Sequence, residues 1–259
     1  MISCRLKGGL GNLMFQIAFV EYESMMTGYP RGYYNVEKQL NLLINHPPLK
    51  AHWAYEYLNI FKNFNWPRIN KPPANHFTPV SFHYRGFVVK DNSNFDGFFQ
   101  SEKYFPNREF ILNLFEPSDE IKSYLKNKYG DVSDYTSLHV RRTDYVTKAS
   151  FHPPCGMDYY EKALGMIEGN VLIFSDDLDW CKETFLGDRF TFVSGNRDYQ
   201  DLFLMSMCKN NIIANSSFSW WGAWLNTNPN KKVIAPKKWF GHQMTLRSDD
   251  ICPSTWETI

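Results

Sequence analysis

Ile212-Ile213-Ala214-Asn215-Ser216-Ser217-Phe218-Ser219-Trp220-Trp221 is the stretch whose reading decides the fold. An apolar triplet leads into a short polar turn, and the turn opens a run with helical spacing from Phe218 to Leu225. That is a buried strand feeding a helix. Working outward, the same grammar repeats. Ser137 to Val140, Val171 to Phe174, Phe190 to Val193 and Val233 to Ala235 are compact apolar runs, the last read as the final strand. Tyr159 to Ile167, Leu178 to Leu186 (closed by Gly187) and Tyr199 to Lys209 carry helical spacing. Short β-rich runs alternating with helices of about ten residues define βαβ units in a parallel sheet. Strands apolar throughout suit a sheet covered on both faces.

The N-terminal half opens with an alternating segment, Ile2-Cys4-Leu6. The glycine turn Gly8-Gly9-Leu10-Gly11-Asn12 follows, then a helical pattern from Leu13 to Met26 stopped by Gly28. The turn lacks the Lys-Ser/Thr of a P-loop and the full dinucleotide fingerprint. From Tyr29 to Asn94 the chain is rich in Pro, Asn and aromatics, which predicts an irregular lobe with some helix. Gly130 and its polar neighbours place a boundary near Lys128 to Ser133, giving lobes at 1–130 and 131–259. A formal net charge of +1 argues against a dedicated nucleic-acid binder. Five scattered cysteines without a CxxC pair read as reduced thiols of a cytosolic compartment. The start does not read as a signal peptide, and no stretch is long enough to span a bilayer. Asn215-Ser216-Ser217 matches a glycosylation sequon by chance, next to a buried strand. The 21 Phe, 15 Tyr and 8 Trp read first as core, and second as surfaces for stacking sugars or bases.

In open parallel sheets ligands bind beyond the carboxyl ends of the strands. Polar clusters fall at those ends: His139-Val140-Arg141-Arg142-Thr143-Asp144, Ser175-Asp176-Asp177, Ser194-Gly195-Asn196 and Asn215 to Trp221. Together they make a nucleotide site the working hypothesis. Serines at a helix start offer hydroxyls, free N–H groups and the positive end of the helix dipole to a phosphate, or a plain N-cap. Arg141 and Arg142 leave a strand and therefore point in different directions, one to a ligand and one to packing or pairing. A guanidinium grips phosphate bidentately. The alternative for Arg141 is an ion pair with Asp144, and both can hold. Asp176 can accept two N–H bonds from the guanine edge or cap the helix near Leu178, and Asp177 can take the other job.

Gly8 to Gln16, Gly97 to Tyr104, His139 to Tyr145, Phe174 to Asp177 and Ile213 to Leu225 resemble, in order and over nearly the whole chain, the motif series of family 11 α-1,2-fucosyltransferases. The His-x-Arg-Arg-x-Asp element is also similar to that of α-1,6- and protein O-fucosyltransferases. The resemblance implies an α/β, GT-B-type fold of two Rossmann-like lobes, with the donor site on the C-terminal parallel sheet. It implies inverting transfer of fucose from GDP-fucose to the 2-hydroxyl of a β-galactoside or similar glycan, with no metal and no cofactor. Arg141 then matches the arginine on the β-phosphate, and His139 and Asp176 match positions near guanine. Ser217 and Phe218, with Ser219 beside them, match the phosphate-binding helix start. Asn12 matches the asparagine of the N-terminal glycine turn, which in the family faces the cleft, and is a candidate substrate contact. Leu13 and Ile17 stand where members often carry Gln and Tyr. Asp144 is the candidate general base, with a structural role as the alternative. Animal relatives carry a membrane segment, so the resemblance without an anchor implies a bacterial or viral cytoplasmic enzyme.

Three rival readings follow from the same residues. Asp177-Leu178-Asp179 has the Asp-x-Asp spacing that can hold a divalent cation under a pyrophosphate. A protein O-fucosyltransferase would share the donor site but brings a signal peptide and disulfides. A carbohydrate-binding module would use the aromatic rings without a nucleotide.

Overall fold

The computed structural model describes residues 1–34, 36, 57–79, 82–244 and 247–259. The chain divides into two compact units, Met1–Ser123 with Asp249–Ile251, and Tyr124–Ser248 with Cys252–Ile259. In the first unit, β1 (Ile2–Cys4), β4 (Asn75–Phe77) and β5 (Ser93–Phe95) form a parallel sheet in the order β1-β5-β4. A two-residue parallel pair joins β2 (Tyr33–Tyr34) and β3 (Arg68–Ile69). Helix α1 spans Leu10–Thr27 and ends on Gly28, whose φ of 73° only glycine adopts freely and whose N–H caps Ser24. Fully buried Gln16 holds the approach to α1: its side chain accepts from Lys7 N–H at 3.0 Å and donates to Lys7 C=O at 3.1 Å. Its neighbour Phe19 stacks on Phe99 at 3.9 Å and meets Phe95 edge-on at 5.0 Å. The expected irregular stretch from Tyr29 to Asn94 lies, at positions 35, 37–56, 80 and 81, outside the described residues. After it come α2 (Arg108–Leu114) and α3 (Asp119–Tyr129), the latter acidic in its first turn and lysine-bearing in its last, as the helix dipole favours.

The second unit is built on six strands: β6 (Thr136–Val140), β7 (Val171–Ser175), β8 (Phe190–Phe192), β9 (Asn210–Ile212), β10 (Val233–Ala235) and β11 (Glu257–Thr258). All pair in parallel, in the order β11-β10-β9-β6-β7-β8. Counted from β6, that is the doubly wound order 3-2-1-4-5-6. Between the strands run α4 (Thr143–Thr147), α5 (Met157–Leu164), α6 (Leu178–Thr184), α7 (Asp198–Met207) and α8 (Ser217–Leu225). Every position of β6 is buried, the mark of a sheet covered on both faces. Leu138, Ile173, Ile212 and Ile234 from four adjacent strands share one core with Tyr160 and Ala163 of α5.

The expected strand at Ile212 to Ala214 pairs as β9 from Asn210, because Ile213 and Ala214 already lead into the polar turn. Val233 to Ala235 is not the last strand. Beyond it β11, two exposed polar residues, adds to the edge of the sheet and carries no apolar pattern to betray it. Helix α8 is apolar almost all round, with Trp220, Trp221 and Trp224 buried. Lys231 donates to the carbonyls of Ala223 and Asn226, both at 2.7 Å, neutralising the helix's negative end. No helix among the described residues is long and apolar enough to cross a membrane.

Candidate active site

The doubly wound order creates one point where neighbouring strands send their chains to opposite sides. It lies between β6 and β9, where the splayed loops leave a crevice. The loop leaving β6 carries Arg141 to Asp144, and the loop leaving β9 carries Asn215 to Ser217. His139 near the end of β6 and Phe218 on α8 bring their rings to 5.5 Å across this point. Tyr145 of α4 donates its hydroxyl to Asn215 C=O at 3.1 Å, tying the two loops together.

The two arginines diverge as strand alternation requires. Arg142 pairs with Asp177 at 3.0 Å and lies 3.9 Å over the Trp180 ring, so it packs. Arg141 stays about one-third exposed between two carboxylates, Asp144 at 2.6 Å and Asp176 at 3.2 Å, with its guanidinium over the Tyr145 ring. A guanidinium carries five N–H donors, so these two contacts leave others for a ligand.

The two adjacent aspartates divide their work, and the capping falls to Asp177. Asp177 is the cap of α6, accepting from Trp180 N–H at 3.3 Å. Asp176 accepts from the backbone N–H groups of Arg142 at 2.9 Å and Thr143 at 3.2 Å, and from the Thr143 hydroxyl. Burial alone would raise its carboxyl. The Thr143 hydroxyl, Arg141 and the Arg142 N–H outweigh that and hold it below the usual range. Asp176 therefore shapes the β6–α4 loop, with Oδ1 accepting from a single N–H. Asp179 is almost fully exposed beside Lys182, so the Asp-x-Asp pair points its carboxylates to separate partners.

At α8 the three serines separate too. Ser216 is the N-cap, its hydroxyl accepting from Phe218 N–H at 3.3 Å. Ser219 is buried and turns its hydroxyl onto the carbonyls of Ser216 at 3.4 Å and Ala214 at 3.5 Å. In these contacts it secures the turn. Ser217, in the first turn and half-buried, carries the hydroxyl at the positive end of the helix, beside Phe218. His139 is buried and its Nδ1 has no hydrogen-bond partner. Burial, with Arg141 nearby, pushes its pKa down to about 3, so the ring is neutral.

Asn12 belongs to the first unit, in the first turn of α1, where its Oδ1 accepts from Gln100 Nε2 at 2.7 Å. Sequence reasoning missed Thr143 and Tyr145, although both sit inside a quoted motif. It also missed Asp201, on α7 beside the β8 loop. Asn196 of that loop donates to Asp201 at 2.8 Å and accepts from Lys128 at 2.6 Å. Burial, with Asp198 nearby, raises the Asp201 carboxyl to about 7 although Asn196 and Lys128 favour the charged form.

A doubly wound sheet whose switch point carries an arginine on one loop and a helix start on the other fits a GT-B-type glycosyltransferase. The comparisons give the family. The model of "Glycosyl transferase family 11" matches residues 1–259, and the chain belongs to that family. An α-1,2-colitosyltransferase of Escherichia coli is 33% identical over 292 aligned positions, covering 100% of this chain and 99% of the relative. The O-antigen biosynthesis glycosyltransferase WbnK of Escherichia coli is 42% identical over 152 residues, 52% of this chain and 50% of the relative, so that match spans half of WbnK. Among solved structures, fucosyltransferase NodZ from Bradyrhizobium superposes with a TM-score of 0.54 at 14% identity, over 85% of this chain and 90% of NodZ. NodZ α-1,6-fucosyltransferase soaked with GDP-fucose gives 0.51 at 15% identity, over 86% and 91%. The α/β, GT-B-type fold is thus shared with fucosyltransferases.

Proposed function

We propose that this glycosyltransferase moves L-fucose from GDP-fucose to the 2-hydroxyl of a β-galactoside or similar glycan, inverting the anomeric centre and needing no metal. The observation that carries the reading is that Arg141, about one-third exposed, and the start of α8 follow β6 and β9, the neighbouring strands of the switch point. As GDP departs, negative charge grows on its β-phosphate. Arg141 and the Ser217 end of α8 are preorganised donors for that charge, and such donors stabilise the transition state more than the ground state. Asp144 is the candidate base for the acceptor hydroxyl, and its pairing with Arg141 also orients the guanidinium. The 1–130 lobe takes the acceptor and the 131–259 lobe the donor.

The full-length likeness to an α-1,2-colitosyltransferase favours a second reading, in which the donor sugar is colitose, the 3-deoxy counterpart of fucose. The test is transfer to lactose with EDTA present, from GDP-fucose and from GDP-colitose in parallel, with the product linkage read by NMR. An α-1,2-fucosylated product is expected. Product from GDP-colitose alone selects the second reading. Activity that appears only with Mn²⁺ overturns the metal-free mechanism.

A further inference from the structure

The first unit holds a recess of about 260 Å³ lined by α1, the 84–87 segment and residues 103–106. Phe19, Tyr22, Glu23 and Met26 line it from α1 at spacing i, i+3, i+4, i+7, which is one helix face. Tyr84, Phe87 and Tyr104 supply the facing rings. Tyr84 and Tyr104 meet edge-on at 4.9 Å, and Phe87 packs 5.9 Å from Phe19. The facing segment is fastened within the unit: Asp250 accepts from Tyr84 N–H at 3.1 Å and pairs with Lys103 and His83. Arg85 N–H donates to the Tyr104 hydroxyl at 3.4 Å.

Glu23 is the residue without a structural reason. Its carboxyl is half-buried at the recess and makes no hydrogen bond or ion pair with the described residues. Burial alone raises it above the ordinary range. Core economy would place an apolar residue here, since a partly desolvated carboxyl without a partner costs stability. Tyr22, Glu23 and Tyr84 all line the recess, and the Tyr22 phenol is likewise raised, by burial first and then by Glu23 and Tyr84.

We propose that this recess binds one neutral hexopyranose ring of the acceptor glycan. The inference rests on the transferase reading above. Aromatic walls take the C–H faces of a pyranose, and Glu23, the phenols and exposed Arg85 take its hydroxyls. Lys103 is neutralised by Asp250, which leaves one carboxyl and one guanidinium on the lining, so it suits a neutral occupant rather than a phosphate or a nucleotide. Pockets for drug-sized ligands run to roughly 300–1,000 Å³. This one falls below that range and matches a single ring with the rest of the glycan outside.

The test is saturation-transfer NMR on the full chain with methyl β-galactoside as probe, followed by Glu23→Gln and Tyr84→Ala. Saturation transfer to the wild type is expected, with binding about tenfold weaker in each variant. The Glu23→Gln protein should also melt slightly higher, because it loses a desolvated charge, whereas a merely structural Glu23 would melt lower. GDP binding, followed in the same samples, should be unchanged and reports that both variants are folded. Binding of methyl β-galactoside that survives both substitutions overturns the proposal, as does its absence from the wild type together with methyl β-glucoside and methyl β-N-acetylglucosaminide. Loss of GDP binding in the wild type would instead sink the transferase reading and leave sugar binding by the recess directly measurable.

Discussion

Arg141, Asp144 and Asp201 show how differently three charged residues at one sheet edge can be used. On the proposed mechanism Arg141→Ala removes a preorganised donor to the leaving group and should lower kcat about a hundredfold or more, as loss of one such donor does. Near-normal turnover would reassign it to loop structure with Asp144 and Asp176. Asp144→Asn keeps the shape and removes the basicity. A base should cost about a hundredfold in kcat, and a loss below about tenfold leaves Asp144 as the group that aims Arg141. Asp201 makes a prediction about stability. Its carboxyl sits near 7 in the fold, with Asp198, Lys128 and Asn196 around it, against about 3.9 in the unfolded chain. Below pH ~4 both states are protonated, and the group has no effect. Between about 4 and 7 only the unfolded state ionises, so stability falls as pH rises, and above 7 the loss is complete. Asp201→Asn should therefore raise the melting temperature at pH 8 and leave it unchanged near pH 4, flattening the pH profile. An equal shift at both pH values would refute the assignment.

At the scale of elements, the contact of α7 with α8 is the tightest test of packing. A Cβ on Gly222 would lie 2.8 Å from Met205 Cβ and 3.0 Å from its sulfur. Gly222→Ala gains about 1 kcal/mol of helix propensity but overpacks a contact, which costs about 1–3 kcal/mol. A net fall in melting temperature is expected, and a rise would mean that the two helices move apart at little cost. The same elements show what the sequence could carry. Strands β7 and β10 were legible because both their faces are buried, so each is an almost continuous apolar word between polar turns, whereas β6 mixes Leu138 and Val140 with buried Thr136, Ser137 and His139. β11 was not, because an edge strand of two exposed residues is specified by its neighbour β10 rather than by its own pattern. At the candidate site, the motifs name loops, and the hydrogen bonding of each side chain waits on the turn. Nothing in Ser216-Ser217-Phe218-Ser219 distinguishes the capping serine from the inward one until the turn is built. Asp201 reads as an ordinary acidic residue in the first turns of a helix until Asn196 arrives beside it from another element.

For the whole chain, the decisive quantity is how strongly the native state prefers the nucleotide. A ligand that binds only the folded protein stabilises it by RT ln(1 + [L]/Kd), about 2.7 kcal/mol at a hundredfold excess over Kd. GDP should therefore raise the melting temperature in a concentration-dependent way. GMP should raise it less if, as proposed, Arg141 and the Ser217 end of α8 hold the terminal phosphate. The discrimination should vanish in the Arg141→Ala protein while the fold survives, since Arg141 is about one-third exposed and supports no core. Repeating the GDP titration in EDTA then tests the metal-free reading independently of catalysis. If cationic side chains and helix N–H groups supply the countercharge, the shift is the same with and without the chelator. If the shift collapses in EDTA and returns with Mn²⁺, the countercharge is a bound cation. The carboxylates that the sequence offers as Asp177-Leu178-Asp179 would then have to leave Trp180, Arg142 and Lys182 to hold it.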